Sequence, residues 1–214
     1  MRDLNTLREM QLNLILGFIK LNPIVQTGRL FDISSLINSN LTEDEMMEQI
    51  SHILLDRDIV LKGQKISEEN IIELSKADKI GIDVEDIFNP FLSLEQIKFI
   101  LEYKKQGTYV SYVANKDLTK EEMGIIVNYV INMGYDESYD LIRYMSRESL
   151  DELLTIINNM GDCTQFLAQY KKERLRIIDT INMYNYNYKS QENSGISHSR
   201  MVKVYTDNRY KKNN

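Results

Sequence analysis

An apolar residue followed by Ser or Thr recurs five times at nearly constant spacing: Leu41-Thr42, Ile66-Ser67, Leu92-Ser93, Leu118-Thr119 and Met145-Ser146. The hydroxyl residues are 25, 26, 26 and 27 positions apart. A fixed period in this range is the signature of a stacked repeat, in which one unit buries its apolar face on the next. The period constrains the fold of more than half the chain before any single residue is considered.

Each copy opens like a helix N-terminus. Thr42, Ser67, Ser93, Thr119 and Ser146 stand in N-cap position, where a hydroxyl accepts a hydrogen bond from an otherwise unpaired backbone N–H. Three residues later come Glu45, Asn70, Gln96, Glu122 and Ser149, of which Glu45, Gln96 and Glu122 complete capping boxes. The acidic doublets Glu43-Asp44, Glu68-Glu69 and Glu121-Glu122 fall in the first helical turn. There they complement the helix dipole, a more economical explanation than paired catalytic carboxylates.

The apolar spacing within a copy is helical. Met123, Ile126, Val127, Val130 and Ile131 follow i, i+3, i+4, i+7, i+8; Leu150, Leu153, Leu154 and Ile157 repeat the stripe. Gly81, Gly107, Gly134 and Gly161 lie 14, 14, 15 and 15 residues after their N-caps, suited to a left-handed helix C-terminus. The first copy has no such glycine before Gly63. Beyond each glycine a short apolar cluster follows (Val84, Ile87, Phe88; Val110, Tyr112, Val113; Tyr135, Tyr139, Leu141), spaced for one or two further helical turns.

These spacings predict an all-α fold: a solenoid-like array of helix–turn–short-helix repeats over residues 41–162. Residues 1–40 are expected to form a helical cap, with one helix from Leu4 to Lys20 broken by Asn22-Pro23 and a second from Leu30 to Ile37. Residues 163–183, with Phe166, Leu167, Tyr170, Ile177, Ile178 and Ile181, read as a helix closing the other end. Residues 184–214, beginning with Tyr184-Asn185-Tyr186-Asn187-Tyr188, are polar and aperiodic and are expected to be a disordered basic tail.

The blocks Gly81-Ile82-Asp83-Val84-Glu85-Asp86-Ile87-Phe88-Asn89-Pro90 and Gly107-Thr108-Tyr109-Val110-Ser111-Tyr112-Val113-Ala114-Asn115 resemble a short helical repeat of uncharacterised proteins of phages and bacterial mobile elements. Glu95-Gln96-Ile97 and Glu121-Glu122-Met123 match its helix start. The aspartate of that repeat stands at Asp83, is replaced by Tyr109, and is shifted to Asp136. The resemblance implies a genetic context and carries no activity or functional residues with it.

Composition narrows the function classes. The 214 residues are 43% hydrophobic and 27% charged, as in an ordinary globular protein, and no apolar run reaches the length of a membrane span. The N-terminal stretch lacks the pattern of a secretory signal, and Cys163, the single cysteine, excludes an internal disulfide. The expected location is cytoplasmic. The net charge of −6 divides into −12 for residues 1–167 and +6 for residues 168–214. An acidic body argues against a nucleic-acid surface there, while the basic segment can meet phosphate or an acidic partner.

Catalytic motifs are absent from this pattern. His52 lies within an amphipathic helix and His198 in the expected tail, no spacing supports a pairing with Cys163, and Asp56, Asp58, Asp83 and Asp86 do not follow a calcium-loop register. Neither a glycine-rich phosphate loop nor zinc spacing is present. The expectation is therefore no enzyme, no cofactor and no metal. Instead, the chain reads as a protein-binding module of a phage or mobile element, one form being an inhibitor of a host defence complex acting through its acidic surface. The alternatives are a nucleic-acid-associated regulator acting through residues 168–214 and a homo-oligomeric structural protein. The expected partner-binding residues are Tyr103, Tyr109, Tyr112 and Tyr129 on the repeats and Lys171, Lys172, Arg174 and Arg176 on the basic segment.

Overall fold

A computed structural model describes residues 3–21, 30–55, 61–159 and 161–194. Among these residues the chain is entirely helical. Seven α-helices run α1 (Glu9–Leu21), α2 (Glu43–Leu54), α3 (Glu68–Lys79), α4 (Leu94–Lys105), α5 (Lys120–Met133), α6 (Arg147–Asn158) and α7 (Thr164–Ser194). Five 3-10 helices lie between or before them, at Leu4–Thr6, Ser34–Leu36, Glu85–Ile87, Ser111–Val113 and Glu137–Tyr144.

The five hydroxyl N-caps form as the spacing predicts. The side chains of Thr42, Ser67, Ser93, Thr119 and Ser146 accept from the backbone N–H three residues on. Capping boxes close at Glu45, Gln96 and Glu122. Gly81, Gly107 and Gly134 take positive φ after α3, α4 and α5. Gly161 does not. Its N–H donates to Ile156 O, five residues back, as those of Ile82 and Thr108 do to Ala77 and Tyr103, so Gly161 takes the place of the residue that follows the glycine in the segments after α3 and α4.

Buried side-chain amides tie the start of one helix to an earlier segment. Gln11 donates to Leu41 O at 2.8 Å, Asn70 to Leu92 O at 2.7 Å, Gln96 to Leu118 O at 2.6 Å and Asn115 to Met145 O at 2.9 Å. Each receiving carbonyl belongs to the residue just before an N-cap. Because a buried amide must find partners, these bonds set where each following helix begins. Asn38, Asn89 and Asn115 add a second recurrence. Each lies four residues before an N-cap and accepts, through Oδ1, the N–H two residues on.

Two apolar clusters form the core. The larger joins α3, α4, α5 and α6 with Leu167 at the start of α7; the smaller joins α1, α2 and the Leu30–Ile37 segment with Ile178, Ile181 and Tyr184. With 31 residues, α7 is about 46 Å long and reaches both.

Several expectations about the ends change. The N-terminal helix divides at Leu7-Arg8, because Arg8 N–H is taken by Gln11 Oε1 at 2.8 Å and α1 starts afresh. Between Leu30 and Ile37 only Ser34–Leu36 is helical. Helix α1 packs on α7 as well as α2, so the two terminal helices meet rather than cap opposite ends. Helix α7 also continues through the Tyr/Asn run to Ser194. There Tyr184 is buried and its hydroxyl accepts Phe31 N–H at 3.0 Å, supplying core contacts that the polar sequence hides. Residues 195–214, with His198 and most of the basic tail, lie outside the described residues, as do Asn22-Pro23 and Thr27-Gly28. Ile131 and Phe88, expected on apolar faces, are exposed.

Candidate partner-binding surface

Tyrosines collect where the segment after α4 meets the segment after α5. Gly107 and Gly134 turn the chain out of these helices, and Tyr109 and Tyr135 follow two residues and one residue later. Their rings meet edge to face, with centroids 5.0 Å apart. Both hydroxyls donate to one carboxylate, Tyr109 to Asp140 Oδ1 at 2.8 Å and Tyr135 to Oδ2 at 2.9 Å. The two side chains are 44% and 47% exposed.

The pair rests on buried aromatic groups. Tyr112 stacks on Tyr135 with centroids 6.1 Å apart and stands 6.4 Å from Tyr139, whose ring meets that of Tyr129 at 6.4 Å. The Tyr129 hydroxyl donates to Gly161 O at 3.1 Å and accepts Cys163 N–H at 3.3 Å, tying the cluster to the entry of α7. Burial, reinforced by the hydrogen bond to Asp140, pushes the Tyr109 phenol up to about 12 and raises that of Tyr135 as well. Both phenols are therefore neutral donors at physiological pH, each directed at an oxygen of Asp140.

The expected partner-binding residues separate under this geometry. Tyr109 faces solvent. Tyr103 and Tyr129 are half-buried against the larger core cluster. Tyr112, at 1% exposure, belongs to the interior and offers no surface to a partner, because its ring fills the space behind Tyr109 and Tyr135. Lys171, Lys172 and Arg176 are exposed on α7, and Lys171 lies near enough to help Ser138 hold the Asp136 carboxyl low. Arg174 is the second correction. It is 7% exposed and donates through Nη2 to Asn5 O and Leu7 O, both at 2.7 Å, so it joins α7 to the N-terminal segment.

Tyr135 and Asp140 were not among the expected site residues. The available signal was local: Tyr135 comes one residue after Gly134 and Tyr109 two after Gly107, the glycines lying 15 and 14 residues after their N-caps.

The acidic doublets lie in the first turns of α2, α3 and α5, as the helix-start reading predicts, and Glu43 and Glu122 also bind outside their own helix. Glu43 pairs with Arg8 at 3.0 Å and Lys116 at 3.2 Å. Glu122 receives Arg147 at 2.6 and 2.9 Å, and this bonding brings its carboxyl down to about 2. Cys163 is fully buried. Among the described residues no group of His, Cys, Asp and Glu is arranged to hold a metal ion, and no helix is long and apolar enough to cross a membrane.

No known family model, curated protein or solved structure matches the chain.

Proposed function

We propose that the chain is a non-enzymatic protein-binding module, a solenoid-like helical array whose partner docks on the Tyr109–Tyr135 surface. The observation that carries this reading is the sharing of Asp140 by two half-exposed tyrosines. Aromatic side chains dominate interface energetics, and holding them in place beforehand lowers the entropy lost on binding. Asp140 does so from the outside while Tyr112 and Tyr139 support the rings from within.

The body charge of −12 gives the partner its sign: a basic protein surface. Glu68, Glu69, Glu121, Glu148, Asp151 and Glu152 are exposed at the starts of three helices. The resemblance of the Gly81–Pro90 and Gly107–Asn115 blocks to repeats of phage and mobile-element proteins supports a role in such an element. An inhibitor that occupies the nucleic-acid groove of a host defence complex is the form that combines an acidic surface with aromatic anchors.

The test is a comparative capture from host lysate with the intact chain and a Tyr109→Ala/Tyr135→Ala pair. A protein retained by the first and lost by the second, with retention falling as salt rises, supports the proposal. Equal retention by both, or recovery of nucleic acid instead of protein, overturns it.

A further inference from the structure

Each of the five helices that begin at a hydroxyl cap carries an apolar residue four positions after it: Met46, Ile71, Ile97, Met123 and Leu150. Met46, Ile97, Met123 and Leu150 are at 0% exposure, whereas Ile71 is 43% exposed. The helix packing accounts for the difference. Helices α2, α4, α5 and α6 each lie against the helix before them, α1, α3, α4 and α5 respectively. Helix α3 packs on α4, the helix that follows, while α2 turns to α1 and to the 3-10 helix at Ser34–Leu36. Among the described residues α3 therefore has no preceding helix packed along it, and the residue that is buried in the other four is left at the surface.

The exposed side of α3 has a defined layout. Glu68, Ile71, Ile72, Ser75 and Lys79 follow i, i+3, i+4, i+7, i+11, and all five are exposed, Ile72 at 53%. Asn70, Leu74 and Ala77 are buried on the opposite side. The helix is acidic at its start, with Glu68 and Glu69, and basic in its last turn, with Lys76 and Lys79. Such a pattern is its own complement when the same helix meets it running the other way. The isoleucines then come together near the axis, and each acidic start faces a basic end. We infer that α3 is the surface through which two copies of the chain pair, the two helices lying antiparallel about a two-fold axis. What covers the equivalent face elsewhere in the fold is another helix of this chain, and α3 is the capped helix with that face still open. One helix from each copy makes a small interface, so the pairing is reversible and concentration-dependent. The inference is independent of the Tyr109–Tyr135 surface, which is built on other residues.

Sedimentation equilibrium of the full chain over a concentration series tests it. The expected result is a reversible passage from one chain mass to two. Ile71→Ser/Ile72→Ser is expected to weaken the pairing at least about tenfold. Both side chains are already exposed, so the circular dichroism should stay unchanged. Lys79→Glu is expected to weaken the pairing by setting like charges opposite one another, and Glu68→Lys added to the same chain is expected to restore it. Pairing through any other surface would not respond to this reversal. A single chain mass at every concentration, a dimer unmoved by the isoleucine variant, or a reversed pair that fails to recover overturns the assignment.

Discussion

The carboxylate of Glu9, in the first turn of α1, accepts the backbone N–H of Ser146, the N-cap of α6, across 137 residues of chain. In the copies starting at Thr42, Ser93 and Thr119 that same N–H is met from within, by Glu45, Gln96 and Glu122. The copy at Ser146 has Ser149 at the third position, a side chain too short to reach back. Glu9 completes the capping box from a different helix and takes the Ser149 hydroxyl as well.

Glu9→Ala is therefore expected to destabilise the whole fold, by about 2 kcal/mol for a charge-assisted bond to a helix N-terminus. In a chain of this length that lowers Tm by about 4–8 °C. Adding Ser149→Glu in the same chain should restore part of the loss by rebuilding the box locally. Differential scanning calorimetry of the two variants checks both outcomes, and a Glu9→Ala melt equal to the parent's would refute the trans cap.

Asn115 donates to Ile142 O at 2.8 Å and to Met145 O at 2.9 Å while accepting Asp117 N–H, with its side chain buried. Asn115→Ala leaves two interior carbonyls unpaired and is expected to cost about 3 kcal/mol. Asn115→Asp, an isostere whose carboxylate faces those carbonyls, should cost more at neutral pH. Urea unfolding midpoints give the ranking.

Arg147 brackets Glu122 and reaches Asp151 one turn along α6. The Glu122 carboxyl ordinarily titrates near 4.5 and is held at about 2 in the fold, the Arg147 hydrogen bond being the largest cause. A depressed carboxyl contributes stability that is present above its unfolded value and is lost as pH falls from about 4.5 to about 2. Arg147→Gln should lower stability at neutral pH, and its difference from the parent should shrink across that window. A pH series of denaturation midpoints showing a constant difference would contradict this.

Gly63 has φ of +78°, and a Cβ there would lie 2.7 Å from Asn40 O. Gly81 has φ of +82° with open space around it. Gly81→Ala therefore carries only the backbone strain, about 1 kcal/mol. Gly63→Ala adds a clash with rigid main chain and should cost clearly more. The two melting temperatures, compared side by side, decide it.

Much of the fold is legible along the chain because helix ends are local chemistry. A hydroxyl cap, a glutamate three residues on and a glycine at the far end interact within one or two turns, so their spacing marks α2 to α6 directly. The Asn-x-x-Leu-Ser/Thr recurrence at Asn38, Asn89 and Asn115 was equally local and equally visible. The candidate surface was only half legible. Tyr109 and Tyr112 have similar sequence surroundings, yet one faces solvent and the other fills the interior, where the ring of Tyr135 from the segment after α5 meets both.

What the sequence alone determined, then, is local: an all-helical chain whose helices have capped starts, amphipathic bodies and glycine turns. Tertiary structure alone decided how the ends are used. It set Glu9 on Ser146, carried Arg174 inside against Asn5 and Leu7, and extended α7 through a polar run because Tyr184 meets Phe31 across 153 residues. Periodicity reports which face of a helix is apolar. It does not report which distant backbone group will be left unpaired, and in this fold those unpaired groups select the partners.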